Sequence, residues 1–578
     1  MKRFTADFET STWLSDESFV WAWAICEIGN VDNLRIGNSI DTFMGLVEKE
    51  NNPIILFHNL KFDGEFILYW LMKNGFEYTE KKERKDRTFS TLISDQGLFY
   101  EIEVYFEVGK KTRKVTFQDS LKIINQSVDS IAKTFKLEES KLTIDYNKPR
   151  KRGHILTKEE EEYIKHDVII VAKGLDYLYS MGLTKMTAGS NALSEYKEII
   201  TKKQFEKIYH KLSYEADKDL RQAYKGGFTY LNPIYASVDV GSGEVLDVNS
   251  LYPSVMYNAL LPFGEPCFYE GNYKMDKAYP LYIQRITCSF ELKKDKIPTI
   301  QIKHRQFLDN EYLTSSNGDI VALTLTNVDL KLFLEQYNVE DLNYECGWKF
   351  KAIHGLFKNY IDKWIGIKNE ATISGNKGMR QVAKIMLNSL YGKFATGMDV
   401  KSKIPYLEDD IVKYQITEPE RRDGVYLPMG AFITAYAREK TIRTSQAIKT
   451  YSLEKYGKDL YCYSDTDSIH TLLPIEELKQ FCEIDDVELG KWKHESHFTK
   501  ARFVRQKTYL EEINGEMKIT CAGLPARCYD QVEWNQFKVG MKVDGKLRFK
   551  HVKGGVNLVE EEFTLKADKK LINAIKNI

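Results

Sequence analysis

The run "LYCYSDTDSIHTLL" places two aspartates, Asp465 and Asp467, inside an apolar, aromatic and β-branched stretch that reads as a buried strand or tight hairpin. Burying one carboxylate is costly, and burying two close together is worse, unless positive charge lies between them. Two residues apart on an extended strand, both carboxylates point to one face. "GEVLDVNSLYP" offers a third, Asp247, again after apolar residues and before a turn. Three carboxylates at apolar strand ends suit two hard divalent cations, with Mg²⁺ the default for oxygen ligands and Mn²⁺ the alternative. Each aspartate alone reads equally well as a turn or surface residue, so the specificity lies in "DVNSLYP" and "YSDTDS" together.

The segment "RQVAKIMLNSLYGK" carries Arg380, Lys384, Asn388 and Tyr391 at spacings of 4, 4 and 3, which places all four on one helical face. Two cations, an amide and a ring in a row can grip a triphosphate and stack on a base. A solvated amphipathic helix has the same charge pattern, so the face gains weight only beside a metal site. A second acidic set lies within the first 170 residues. Asp7 and Glu9 in "ADFET" share a strand face, Asp63 follows the polar turn of "FHNLKFDGEF", and Tyr163 and Asp167 are helical neighbours in "EEYIKHDVIIVA". Four carboxylates and a tyrosine are the materials of a second two-metal site that activates water against a phosphodiester, the tyrosine orienting the water. Read singly, these are N-cap acids and surface carboxylates.

The elements that must hold these residues follow from periodicity. Strand-like runs ("FVWAWAICEIG", "NPIILFHN", "STLIS", "LFYEIEVYF") alternate with helical ones ("GEFILYWLMKNG", "EEEEYIKHDVIIVAKGLDYLYSMG") over the first 180 or so residues, which argues an α/β domain. "YKGGFTYLNP" punctuates the chain, and "GEVLDVNSLYPSVMYN" reads as strand, turn, helix. Residues 260–357 show short strands and turns with no single periodicity. "GLFKNYIDKWIGIKNEATI" and "NKGMRQVAKIMLNSLYGKFATG" form a helical pair, and "YLPMGAFITAYAREKTIRTSQAIKTYSLEKYG" is one long helix leading into the paired aspartates.

At 578 residues the chain exceeds one compact core, so several domains are expected. Lysine plus arginine equals aspartate plus glutamate, 83 each, so net charge gives no hint of a polyanionic partner. The balance hides basic patches at "KKERKDR", at "NKPRKR" and from Lys542 onward, each more often a solvated face than a binding site. The 35 tyrosines and 30 phenylalanines suit base stacking and large cores alike. Eight scattered cysteines form no C-x-x-C pair, which disfavours a zinc site or a disulfide framework and fits a reducing compartment. "MKRFTADFET" meets Asp7 and Glu9 before any apolar run, unlike a signal peptide, and no stretch approaches membrane-spanning length, so a soluble cytoplasmic protein is expected.

"DFET", "HNLKFDGEFI", "YIKHD", "YKGG", "DVNSLYPS", "KIMLNSLYGKFA", "YSDTDS" and "KTY" appear in that order across nearly the whole chain. Together they resemble the protein-primed family B DNA polymerases of small tailed phages, the phi-twenty-nine type. The resemblance implies a multidomain α/β and α+β architecture: an N-terminal ribonuclease H-like 3′-5′ exonuclease domain, then a right-hand polymerase of palm, fingers and thumb with two terminal-protein-region insertions. It implies two Mg²⁺ ions in each active site. Asp247 and Asp467 would hold the polymerase pair with the backbone of Val248, and Asp465 would support them. Tyr252 would pack under the deoxyribose and exclude a 2′-hydroxyl. Lys368, Arg380 and Lys384 would contact the triphosphate, with Asn388 beside them and Tyr391 lining the nascent base pair. Lys507 and Tyr509, on one face of "RQKTYLEE", would touch the primer terminus.

In the N-terminal domain Asp7, Glu9, Asp63 and Asp167 would bind the exonuclease metals, Tyr163 would orient water, and Lys141 would stabilise the charged transition state. His58, Asn59, Phe62, Ser120 and Leu121 resemble single-strand contacts. Tyr224, Gly226 and Gly227 of "YKGG" resemble the link between the two activities, where glycine permits close approach to nucleic acid.

The implied organisation is an exonuclease domain at 1–187, palm at 188–259, a terminal-protein-contacting insertion at 260–357, fingers at 358–395, a strand-displacement and processivity insertion at 396–421, palm again at 422–527, and thumb with a basic tail at 528–578. Partners would be primer-template DNA, deoxynucleoside triphosphates and a terminal protein primer, with no membrane. The chain would act as a monomer or a heterodimer with terminal protein, in the cytoplasm of the infected bacterial host. A nuclease whose second half only holds DNA, a replication scaffold and an RNA-synthesising palm enzyme are the competing readings. The presence of Asp247, Asp465, Asp467 and Lys384 disfavours the first, both carboxylate sets disfavour the second, and Tyr252 discriminates the third.

Overall fold

A computed structural model describes residues 2–80, 83–109, 112–146, 148–301 and 312–566. The basic tail at 567–578, Lys81 and Lys82 of the first basic run and Asn147 of the second lie outside the described residues.

The N-terminal unit is built on an eight-stranded mixed sheet. Its centre runs Val20–Glu27, Arg3–Thr10, Ile54–Phe57, Arg113–Asp119, the last three strands mutually parallel. Ile55, Leu56 and Phe57 are wholly buried, as expected of a strand covered on both faces. The helices Leu60–Lys73 and Lys158–Ser180 pack across this centre. The second begins at a capping box, Thr157 with Glu160, and carries Glu159, Glu160 and Glu161 in its first turn, where the helix dipole favours negative charge.

The middle of the chain forms a five-stranded antiparallel sheet in the order Trp492–Phe498, Gly243–Val248, Ser468–Thr471, Tyr461–Asp465, Thr229–Leu231. The 30-residue helix Leu427–Tyr456 lies on it, starting with Pro428 at its first turn and stopped by Gly457 at φ 61°. Beside it stands a smaller sheet, Asp239–Val240, Lys500–Arg505, Thr508–Ile513, Glu516–Cys521. The helical pair Lys358–Ile373 and Lys377–Ser389 packs over the same core, burying Tyr360, Ile361, Trp364, Val382 and Met386.

Residues 260–357 are more regular than their sequence suggests. They form a four-stranded sheet, Leu261–Glu270, Tyr337–Ile353, Leu281–Leu292, Val321–Thr326, with the helix Asn327–Gln336. The strands are long, 17 residues in one case, but register shifts at Arg285/Ile286 and Thr287/Ser289 break the in–out alternation.

Residues 396–421 form the hairpin Lys403–Glu408 and Ile411–Ile416, pinned at its base by Asp399–Val400 pairing with Glu420–Arg421. A last hairpin, Lys542–Val552 with Gly555–Thr564, ends the described chain. Both hairpins reach back to the helix Leu60–Lys73. Asp410 at one tip pairs with Lys73 at 2.8 Å and with Lys553 at the other tip at 3.4 Å. Buried Glu65 accepts from the Tyr414 hydroxyl at 2.7 Å and pairs with His551 at 3.2 Å. Ser18 N–H donates to the Lys553 carbonyl at 2.8 Å. The N-terminal unit and the two hairpins are therefore joined to one another around the helix Leu60–Lys73.

Candidate functional site

Asp465 and Asp467 do not share one strand face. The strand Tyr461–Asp465 ends at Asp465, and Thr466, at φ 62°, turns the chain into Ser468–Thr471, with Asp465 opposite Ser468. The period-two reading fails because the two aspartates flank a tight turn. Three bonds fix it: Thr466 N–H to the Phe228 carbonyl at 2.7 Å, Asp467 N–H to the Asp465 carbonyl at 2.7 Å, and Thr441 Oγ1 to the Thr466 carbonyl at 2.8 Å. Asp465 consequently faces Lys507 Nζ at 2.7 and 3.0 Å and Thr229 Oγ1 at 3.1 Å. Asp467 faces Asp247, which lies opposite Ser468 on the neighbouring strand. Val248 N–H donates to the Asp467 carbonyl at 2.8 Å, fastening the two strand ends together.

Burial, with the charges of Asp467 and Glu495 behind it, pushes Asp247 up to about 7, against the pull of Lys384 and Lys493. Asp467 is likewise raised, burial first. A pair of carboxylates held near each other away from water suits a cation by charge. Glu495 escaped the sequence reading because nothing in "KWKHESHF" points to Asp247; only strand pairing brings it near.

Across from these aspartates Arg380, Lys384 and Asn388 line the exposed face of the helix Lys377–Ser389. Lys368, on the preceding helix, joins them: burial and the charges of Arg380, Lys384 and Lys493 lower its pKa, and its Nζ reaches Ser250 Oγ at 3.4 Å. Cations gathered around one site suit a polyanion. Tyr391 follows that helix through Leu390, whose backbone is also helical, and opens the short helix Tyr391–Phe394. It stacks on Tyr252, centroids 4.2 Å apart at 25°.

The loop carrying Tyr224, Gly226 and Gly227 borders the same turn. A Cβ on Gly227 would meet Thr466 Oγ1 at 2.6 Å, whereas one on Gly226 would meet nothing within 4 Å. Tyr224 is half-buried. Arg438, only 3% exposed, clamps the loop by donating to the Lys225 and Gly226 carbonyls at 2.9 and 2.8 Å while gripping Asp329. Arg438 reads in sequence as one cation of a long helix, and its partners 109 and more residues away leave no local trace. Lys507 sits in a turn at φ 53° rather than on a strand, and Tyr509 follows on Thr508–Ile513. The one-face reading of that pair is corrected accordingly, because the turn reorients Lys507 toward Asp465.

The second acidic set also assembles. Asp7 and Glu9 on Arg3–Thr10 and Asp167 on Lys158–Ser180 line a cavity of about 170 Å³ together with His58, Lys141, Tyr146 and Tyr163, and Asp63 on Leu60–Lys73 lies outside that lining but near enough for its charge to act on Glu9. Burial, then the Asp167 charge, pushes Asp7 up to about 7. Glu9 and Asp63 are driven well above the carboxylate range by burial and by Asp7. Burial raises Asp167 too, although Lys141 Nζ lies 3.2 Å from its Oδ2. Asp63 is thus no surface acid: its Oδ1 accepts from Phe8 N–H at 3.2 Å. The Tyr163 hydroxyl meets that of Tyr146 at 2.5 Å, a partner the sequence did not suggest.

Single-strand contacts expected nearby divide into two groups. His58 is committed within the protein, Nδ1 to Ser120 Oγ at 3.0 Å and Nε2 to the Gln126 carbonyl at 2.6 Å, and Ser120 is fully buried. Those two side chains orient each other, Ser120 away from solvent and His58 at the edge of the cavity. Asn59 is exposed, while Phe62 and Leu121 are half-exposed. Asp119 holds both loops, its Oδ1 accepting from Asn59 N–H at 3.1 Å and Leu121 N–H at 2.9 Å.

Both carboxylate sets fit hard divalent cations in donor chemistry. Asp167 Oδ1 is buried without a hydrogen-bond partner, an arrangement a cation would satisfy. Among the described residues no three such side chains already converge on one point, so bound ions would draw the oxygens inward.

The family described as DNA polymerase type B, organellar and viral, matches residues 47–153 and 140–481. The DNA polymerase of Bacillus phage Nf is 45% identical over 589 residues, covering 98% of this chain and all of its own. That of Bacillus phage phi29 is 44% identical over 589 residues, 98% of this chain and 99% of its own. That of Streptococcus phage Cp-1 is 32% identical over 594 residues, 97% of this chain and 98% of its own. The solved structure of phi29 DNA polymerase complexed with primer-template DNA and incoming nucleotide substrates superposes with a TM-score of 0.90 at 43% identity, covering 98% of this chain and all of that one.

Proposed function

Because the chain belongs to the type B DNA polymerases, and among them to the phi29 type of Bacillus phages, it is a DNA polymerase, and we propose that it extends primers on a template, proofreads them in a second site and starts from a terminal protein. The observation carrying this reading is the convergence of Asp247 and Asp467 opposite Lys368, Arg380 and Lys384. Divalent cations, when bound, supply the positive charge that phosphoryl transfer requires. Asp247 and Asp467, with the Val248 backbone, hold them. Arg380, Lys384 and Lys368 take the triphosphate, and Tyr252, braced on Tyr391, lies under the sugar. Lys507, braced on Asp465, meets the primer terminus as its 3′-hydroxyl attacks the α-phosphate and pyrophosphate leaves.

In the N-terminal unit Asp7, Glu9, Asp63 and Asp167 hold the cations, Tyr163 orients water, and Lys141 offsets the charge that develops on the phosphate. Residues 260–357 offer a separate sheet for the terminal protein. Among the described residues no helix is long and apolar enough to cross a membrane, in keeping with work on DNA in the cytoplasm of the infected host. Incubation with a 5′-labelled primer on a longer template and Mg²⁺ tests the reading: extension with deoxynucleotides and shortening without them are expected. Shortening alone would leave a nuclease, and no change would leave a scaffold.

Three outcomes follow from the geometry. Gly227→Ala lowers extension by about a hundredfold, because its methyl displaces Thr466 and with it the aspartate turn. Tyr252→Val keeps DNA synthesis and relaxes ribonucleotide rejection by roughly 10- to 200-fold, read as the ratio of kcat/KM values; unchanged sugar selectivity would refute the gate. Removing residues 396–421, whose ends already lie paired, shortens products under a DNA trap and stops synthesis at a downstream strand while sparing addition of one nucleotide.

A further inference from the structure

Beneath the aspartate turn, the five-stranded sheet meets the smaller sheet that carries Lys507, and a buried pair fastens them. His470 Nδ1 donates to Glu511 Oε1 at 2.7 Å, with the two side chains 2% and 1% exposed. Tyr463, Phe503 and Tyr509 enclose the imidazole, with centroids at 5.3, 5.6 and 5.1 Å. Taking such a pair out of water costs more than filling the space with apolar side chains, so stability is a poor account of it. What the pair adds is direction: a buried hydrogen bond beneath the turns ties the two surfaces in one register, which apolar packing by itself does not specify.

Its position gives that register a use. His470 follows Asp467 by three residues, and Glu511 follows Lys507 by four. Between the two turns run Lys507 Nζ to Asp465 at 2.7 Å and Lys507 N–H to the Tyr463 hydroxyl at 2.8 Å. Lys507 itself is held at φ 53°, a left-handed conformation that a non-glycine residue keeps only where its surroundings impose it. We propose that His470 and Glu511 are positioning residues that set the spacing between the cation-binding turn and Lys507, and so keep the primer 3′ terminus in the extension site. The proposal rests on Lys507 as a primer contact.

The test uses the full chain. Single replacements strand one buried polar partner and can unfold the protein, so the decisive variant is the double replacement H470F/E511M, which fills both volumes without the bond. Its thermal midpoint stays near the parent's, its KM for primer-template rises roughly 10- to 100-fold, and its balance of extension over shortening on a paired primer falls with it. Its KM for deoxynucleotides and its shortening of single strands stay unchanged. E511Q, which retains an acceptor, keeps the parent's balance. Lys507→Ala lowers primer affinity by itself and, added to the double variant, costs nothing further. Parental primer affinity and balance in the double variant, an E511Q as impaired as the double variant, or losses that multiply with Lys507→Ala would each overturn the coupling. If Lys507→Ala leaves primer affinity untouched, the reading beneath the proposal falls and takes the proposal with it.

Discussion

Asp467→Asn abolishes primer extension, by more than about a hundredfold, and leaves shortening of the same labelled primer intact. Loss of a group that merely orients a cation ligand costs 10- to 100-fold, and a ligand carboxylate should exceed that. The replacement is isosteric and the turn is held by backbone bonds, Asp467 N–H to the Asp465 carbonyl and Val248 N–H to the Asp467 carbonyl, so the fold tolerates it. The shortening site draws on a separate sheet and a separate set of acids. Asp465→Asn has a milder effect, because Asp465 meets Lys507 and Thr229 and acts through them. Retained extension in the Asp467 variant would remove the residue from the site; loss of both activities would mean one shared centre.

Asp7→Asn does the reverse, stopping shortening while extension continues, and it also changes how stability follows pH. Burial and the Asp167 charge push Asp7 up to about 7, from an ordinary value near 4 in the unfolded chain. Between those values the folded chain keeps a proton that the unfolded chain has released, so stability is fully present below about pH 4 and is lost as pH rises through 7. Asp247, also pushed to about 7, adds in the same sense. Cation-free protein is therefore less stable at pH 8 than at pH 6, by on the order of a few kcal/mol, and melts at a lower temperature. Mg²⁺ restores more at pH 8 than at pH 6, and Asp7→Asn flattens the slope. Calorimetry at the two pH values with a chelator decides it; a cation-free protein more stable at pH 8 would show that these carboxylates are not held protonated.

Legibility differed with the range of the interactions. Arg3–Thr10, Lys158–Ser180 and Leu427–Tyr456 were readable because period and caps are local properties. The carboxylates were readable because acids in apolar runs need a partner. The direction of Asp465 was not, since a left-handed Thr466 reverses the chain where a strand pattern continues. The sheet at 260–357 was hidden by its bulges, and Arg438, Asp119 and Glu495 by partners far away in sequence. Ser120 and His58 carry polar atoms that satisfy each other, a pairing that parallel strand neighbours create and no motif announces.

If the hairpin at 396–421 holds the template as the processivity reading has it, the links through Lys73, Asp410 and Lys553, with Glu65, Tyr414 and His551 beside them, would close a loop around that strand. A strand inside a closed loop leaves only by sliding off an end or by the loop opening. Linear DNA offers ends to thread, whereas a covalently closed single-stranded circle offers none. Under that reading, loading on such a circle waits for these ionic links to part, and it quickens as salt weakens them. The same few contacts that would retain a linear strand would then set the rate at which a circular one is captured.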